Sequence, residues 1–190
     1  MERHWVVVGD SYSDPGHSGY VEHGVRSWPL LVAERTGIDV HCYASSGDGF
    51  VHVRRVSFPD QARQAAADES YDHALVERAI VYGGINDFSM GESAETVRAA
   101  VAQTARTLIE AFPAAKVEGF MNWYPREYGV EAKAFVAAIR AGYADAGVNM
   151  RDDCMWILEN DRVTDAYLDD NLHPNQHGQN LMADYFEALG

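Results

Sequence analysis

Long apolar runs, basic side chains and cysteines are all scarce in this 190-residue chain. No stretch approaches the roughly 20 apolar residues of a membrane-spanning helix, so no membrane partner is expected. Fifteen Lys and Arg stand against 29 Asp and Glu, a formal net charge of −14. That balance repels nucleic-acid phosphate and anionic membrane surfaces, and it favours a neutral or cationic ligand over a polyanion. It does not describe the field inside a cleft. The two cysteines, Cys42 and Cys154, fall in separate strand candidates at opposite edges of the sheet inferred below. Four strand spacings, ~19 Å, exceed the ~7 Å that a disulfide spans between Cα atoms, so both read as unpaired core thiols in a reducing compartment. Strand-like sequence begins at His4 or Trp5 and leaves no room for a signal peptide, which makes a cytoplasmic location the expectation.

What is present is ordinary for a globular protein, with 47% apolar and 23% charged residues. The length fits one domain over residues 1–190, and no repeat, low-complexity tract or linker divides it. Short apolar or β-branched runs recur at Trp5–Val8, Ile38–Tyr43, Ala79–Tyr82, Val117–Met121 and Met155–Leu158. Helical patterns lie between them, which predicts a parallel sheet covered on both faces. Ser27 and Gly37 bracket a helix over Trp28–Arg35. Val97, Val101, Leu108 and Ile109 make a stripe on a segment that Pro113 ends, and Phe135, Ile139 and Tyr143 repeat at four-residue spacing before Gly147. Leu181, Tyr185, Ala188 and Leu189 line a final helix that starts after Pro174, with Asn175 as its cap. The expected architecture is a three-layer α/β/α sandwich with five parallel strands. Long polar stretches at Ser13–Arg26, Asp48–Asp60, Asn122–Gly129 and Glu159–Asp170 each follow a strand, at the carboxyl edge where such sheets place ligands.

Four features converge on that edge. Ser11 follows the first strand in Gly9-Asp10-Ser11, and Ser46-Gly47-Asp48 follows the second. Gly83-Gly84-Ile85-Asn86-Asp87 follows the third, and Asp170-Asn171-Leu172-His173-Pro174 precedes the last helix. A serine hydroxyl becomes a nucleophile when a histidine takes its proton, and a carboxylate orients that histidine. Gly47 lets the backbone approach a substrate oxygen, and Asn86 offers a neutral amide donor. Asp10 and Asp87 read as structural, bonding turn amides.

The ordered set, spanning Gly9 to Pro174, resembles the SGNH (GDSL-like) hydrolase superfamily. Tyr12 replaces the leucine of the Gly-Asp-Ser-Leu signature. The resemblance implies a flavodoxin-like α/β/α fold and no cofactor. It implies Ser11 as nucleophile, His173 as general base and Asp170 as the orienting acid. The three-residue offset favours Asp170, with Asp169 the alternative. An oxyanion hole would be formed by the Ser11 and Gly47 backbone N–H groups and the Asn86 side chain.

The expected activity is hydrolysis of small acyl esters, O-acetyl groups on carbohydrates first. A lysophospholipase or thioesterase is the nearest rival. Tyr12, Trp123 and Tyr124, with Phe50, Phe88 and Tyr167, are the aromatics near strand ends that can stack on a sugar or receive a short acyl chain. His17 and His23 read as exposed, with His17 the better pocket candidate. His177, one turn from His173, could with Asp169 or Asp170 mimic a metal cluster. It reads instead as a solvent-facing residue, since a zinc hydrolase takes three protein ligands and spacing fixes no third. A non-catalytic carbohydrate-binding domain on the same fold is the remaining alternative.

Overall fold

The computed structural model describes residues 2–121, 129–151, 166–170 and 172–189. Five parallel strands, β1 (His4–Gly9), β2 (Asp39–Cys42), β3 (Val76–Tyr82), β4 (Lys116–Phe120) and β5 (Met150–Arg151), form one sheet in the order β2-β1-β3-β4-β5. This is the flavodoxin-like order, in which the chain leaves β1 toward one edge and returns beside it as β3. Loops therefore diverge at the carboxyl ends of β1 and β3 and open a crevice there.

The central strand shows why the sheet is covered twice. Period-two alternation sends Val6 and Val8 into one core and Trp5 and Val7 into the other, all fully buried. On the first face lie α3 (Phe58–Ala67), α5 (Ala94–Ala111) and α6 (Gly129–Asp145), through Phe58, Ala62, Val97, Val101, Leu108, Ile139 and Tyr143. On the second lie α2 (Trp28–Thr36) and the last helix, α7 (Gln176–Glu187). There Trp28 stacks on Phe186 at 3.9 Å between ring centroids. Two short helices, α1 (Ser18–His23) and α4 (Ile85–Ser89), sit in the loops that follow β1 and β3. Among the described residues no helix is long and apolar enough to cross a membrane.

Several expectations shift. The strand paired outside β4 is Met150–Arg151, and 155–158, with Cys154, lies outside the described residues. Cys42 sits on the β2 edge strand with its thiol donating to the Ser13 carbonyl at 3.4 Å, and burial pushes that thiol up to about 12. At neutral pH it is a packing group rather than a nucleophile. The stretch Ser13–Arg26 is not all loop, because α1 buries Tyr20 and Gly24 ends it in the left-handed region. Ile109 is 38% exposed, and its expected place toward the core goes to Ala105 and Leu108. On α7 the core positions are Met182, Ala183 and Phe186, while Leu181 and Tyr185 flank them and Ala188 is exposed. Asn175 caps α7 by accepting from the His177 and Gly178 amides. Ser27 holds the cap position of α2 but makes no side-chain bond there.

Candidate active site

The first strand ends with its backbone held by a side chain from elsewhere. Gly9 N–H donates to Gln61 Oε1 at 2.9 Å, and Gln61 Nε2 donates back to the Gly9 carbonyl at 3.1 Å. The next residues turn sharply, with the Ser13 and Asp14 amides bonded to the Asp10 carbonyl and the Tyr12 amide on Asp10 Oδ1. Ser11 is thus presented at the tip of a fixed turn. Gln61 is fully buried, and its replacement by leucine would leave buried peptide groups unpaired. The expected cost is about 3 kcal/mol, read as a lower urea midpoint at unchanged slope.

Two buried carboxylates build the neighbouring loop. Asp87 accepts from the Phe50, Val51 and His52 amides, each at 2.8 Å. It is structural as expected, but it clasps a loop 35 to 37 residues away rather than its own turn. A Cβ on Gly49 would lie 2.5 Å from Asp87 Oδ2, so that approach requires glycine. Asp48, also fully buried, accepts from the Arg54, Arg55 and Val56 amides. Gly47, immediately before Asp48, takes φ 82°, a conformation that glycine adopts without steric cost.

The last loop completes the arrangement. His173 Nε2 lies 2.9 Å from Ser11 Oγ, and His173 Nδ1 lies 2.6 Å from Asp170 Oδ2. A carboxylate only accepts, so Nδ1 carries the proton, and Nε2 is left to accept from the serine hydroxyl. Burial alone pushes the Asp170 carboxyl up, but bonds from the His173 ring and the His173 and Leu172 amides outweigh it and hold the group below its ordinary value. Tyr12, 1% exposed, donates its hydroxyl to the Leu172 carbonyl at 2.8 Å. It is a buried wall that pins the His173 loop, not an open stacking ring.

These groups face one cavity of about 150 Å³, lined by Ser11, Gly47, Asn86 and His173 together with Tyr12, His17 and Arg54. Among the described residues, the backbone N–H groups of Ser11 and Gly47 have no acceptor. Asn86 Nδ2 gives one hydrogen to the Asp48 carbonyl at 2.8 Å, which fixes the amide and leaves the second uncommitted. Unpaired amides at a polar cavity are exceptions that point to a site, and these can receive a developing oxyanion.

His17 departs from its expected exposure. It is half-buried, its ring lies 4.1 Å from that of His173, and its Nδ1 lies 3.2 Å from Ser46 Oγ. Ser46 in turn gives its hydroxyl proton to Asp14 at 2.5 Å. That polarity assigns the Nδ1–H tautomer to His17. Desolvation first and the neighbouring His173 second keep its pKa below the ordinary value. Phe50 is a core residue packed edge-on against Phe58, and Phe88 packs against Phe135. Tyr167 bridges to Pro174. Trp123 and Tyr124 lie outside the described residues. His177 is on α7, exposed, and among the described residues no three His, Cys, Asp or Glu side chains gather as a metal-ligand set.

The sequence model of the GDSL-like lipase/acylhydrolase family matches residues 7–181. The chain belongs to this family of hydrolases. Solved structures share its fold over nearly the whole chain. A psychrotrophic esterase, EstA, from Pseudoalteromonas sp. is 19% identical with a TM-score of 0.72, covering 98% of this chain and 96% of that one. The solved structure of TesA is 20% identical with a TM-score of 0.72, covering 96% of this chain and 94% of that one. A family two carbohydrate esterase from Cellvibrio japonicus is 17% identical with a TM-score of 0.68, covering 98% of this chain and 60% of that chain. No curated relative matches in sequence. Among GDSL-like hydrolases, then, this chain carries Ser11, His173 and Asp170 in one hydrogen-bonded line. Gln61, Asp14, Arg54 and Gln179, whose Nε2 donates to the Tyr12 carbonyl at 3.1 Å, are surrounding residues that motif reasoning passed over, and Ser46 was named in a motif without a role. Both glutamines sit at core-facing stripe positions, Gln61 between Phe58 and Ala65 and Gln179 ahead of Met182 and Phe186. A glutamine on an apolar stripe was the available signal.

Proposed function

We propose that this chain is a serine esterase for small acyl esters, O-acetyl groups on carbohydrates first, working through an acyl-enzyme on Ser11. The observation that carries this reading is the unbroken line from Ser11 Oγ through His173 to Asp170 beside three uncommitted amide donors. Ser11 Oγ attacks the ester carbonyl carbon as its proton passes to His173 Nε2. The Ser11 and Gly47 amides and Asn86 stabilise the tetrahedral oxyanion, each by roughly 3 kcal/mol if it matches measured oxyanion-hole deletions. His173 then protonates the departing alcohol oxygen as the carbon–oxygen bond breaks. Water, activated by the same imidazole, releases the acid and restores Ser11.

The cavity volume supports a small acyl group. A cavity of about 150 Å³ is well under the roughly 300–1,000 Å³ of pockets that enclose whole drug-sized ligands. It accommodates a short acyl group and leaves the alcohol portion outside. The carbohydrate assignment draws on the likeness to carbohydrate esterases.

The test is a series of p-nitrophenyl esters from C2 to C8, with and without chelator, together with labelling of Ser11 by a fluorophosphonate. The expected outcome is chelator-insensitive turnover, a label on Ser11, and kcat/KM for acetate at least about tenfold above that for octanoate. A preference for C8 or longer chains would instead favour the lysophospholipase or thioesterase reading. Chelator-sensitive activity that survives Ser11→Ala would replace the serine mechanism with a metal one.

A further inference from the structure

One cation in the cavity is not accounted for by this mechanism. Arg54 lines the same wall as Ser11, Gly47 and His173. Many of the other guanidinium groups are matched to carboxylates, Arg3 with Glu77, Arg26 with Glu34, Arg35 with Asp184, Arg78 with Glu118 and Arg98 with Asp145, whereas the exposed Arg55 next to it is not, among the described residues, and lies outside this cavity. Among the described residues the Arg54 guanidinium has no such partner and no hydrogen bond. Arg54 is exposed, and what sets it apart in a chain of net charge −14 is that its unmatched guanidinium belongs to a side chain lining the cavity of the nucleophile.

Its position is also built rather than incidental. The buried Asp48 carboxylate holds the Arg54 amide at 2.6 Å and the two following amides at 2.8 and 3.1 Å. This fixes the backbone from which the side chain departs. The Arg54 methylenes then lie across Gly47, where a Cβ would meet Arg54 Cδ at 2.8 Å. The absence of a side chain at Gly47 thus serves the cation as well as the backbone N–H. Its charge reaches the catalytic neighbourhood as a small contribution that lowers the His17 pKa, behind desolvation and His173 and against Asp14 and Asp170.

We propose that Arg54 is a specificity-determining residue that binds a carboxylate on the substrate, so that the preferred ester is a small monoanion. This rests on the serine-esterase reading of the same site. A guanidinium offers paired N–H donors matched to a carboxylate. The acidic chain repels polyanions at long range, but exposed charges are screened beyond a Debye length of about 8–10 Å. At contact distance the Arg54 guanidinium offers a positive charge to a group entering the cavity. A single carboxylate close to the ester is admitted where a polyanion is not.

The carboxylate can belong to either half of the ester, and two substrate pairs distinguish them. Monoethyl succinate against ethyl pentanoate tests the acyl half, and 4-acetoxybenzoate against its methyl ester tests the alcohol half, with acid release followed by pH-stat. Arg54→Met is the informative variant, because it keeps an unbranched chain over Gly47 while removing the charge.

The wild type is expected to favour one anionic ester over its neutral counterpart by about 10- to 100-fold, the range for a charge-assisted hydrogen bond. Arg54→Met should abolish that preference, lowering kcat/KM for the anionic ester at least about tenfold more than for the neutral one. Arg54→Glu should reverse it, and added salt should shrink it. Binding of 4-acetoxybenzoate to Ser11→Ala and to Ser11→Ala/Arg54→Met, followed by NMR, reads the anion contact without turnover. Equal kcat/KM for anionic and neutral esters in both pairs, or an equal loss on both in Arg54→Met, overturns the proposal. The latter result would mean that Arg54 only packs on Gly47. Failure of the underlying reading looks different: p-nitrophenyl acetate turnover would be absent or would survive Ser11→Ala.

Discussion

Ser11→Ala is expected to lower kcat for p-nitrophenyl acetate by about 10⁶-fold, and His173→Ala by a similar factor, with the double variant no worse than either single one. Non-additivity is the informative part. Ser11 Oγ and His173 Nε2 are 2.9 Å apart, and neither does its chemistry without the other. Once one is gone the second has nothing left to contribute, as found when triad members are removed singly and together in other serine hydrolases. About 10³- to 10⁴-fold of acceleration over water should persist in all three variants. In this site it would come from the Ser11, Gly47 and Asn86 donors, which are positioned by Asp10, Asp48 and Asp87 rather than by the triad. Steady-state kinetics on the three proteins, with fluorophosphonate labelling as a check on Ser11, decides the matter. Additive losses would mean that the two residues act in separate steps.

Asp170→Asn is expected to cost about 10⁴-fold in kcat while leaving the fold intact, by analogy with the same exchange in another serine hydrolase. The cause is the tautomer. Asp170 accepts from His173 Nδ1 at 2.6 Å and from the Leu172 and His173 amides at 2.9 Å each. An asparagine oxygen can keep the two amide bonds, but its NH₂ then faces Nδ1 and makes that nitrogen an acceptor. The proton moves to Nε2, and Ser11 loses its base. The exchange has a pH signature as well. Folding lowers the Asp170 pKa from 3.8, so as pH falls the unfolded chain takes up the proton first. The stability contributed by the carboxylate is present above that value and is lost as pH drops through the lower folded one. Urea denaturation between pH 3 and 7 should therefore show a shallower acid loss in Asp170→Asn than in the wild type. Asp169→Asn is the control. The neighbouring acid was the alternative on spacing alone, and its replacement is expected to leave kcat within about twofold.

Much of the architecture was legible because it follows from local periodicities. Trp5–Val8 reads as a strand buried on both faces, and that pattern arises only in a sheet with helices on each side. Val97, Val101 and Leu108 mark a helical stripe, and Asn175 marks a helix start, because caps and stripes depend on residues three or four apart. Boundaries were less legible. Ile109 fits the stripe by spacing yet is exposed, since the rotation of α5 is set by what α3 and α6 present to it. The fifth strand pairs at Met150–Arg151, a two-residue edge with too few side chains to leave a pattern.

The site divides along the same line. The identities of Ser11, Gly47, Asn86, Asp170 and His173, and their order after strands one, two and three and before the last helix, are properties of the sequence alone. So is the separation of Asp170 from His173, which lets one short loop bring a carboxylate to its own imidazole. Only the tertiary structure decided that Ser11 and His173 meet, 162 residues apart, within 2.9 Å. It alone decided that Asp87 clasps residues 50–52, that Gln61 grips Gly9, that His17 lies against His173, and that Arg54 stands over Gly47 without a partner. The reason is range. Backbone propensities and side-chain periods act over a few residues and leave their mark in the order of letters. Hydrogen bonds between distant loops depend on the sheet order β2-β1-β3-β4-β5, which closes those distances only once both cores have packed.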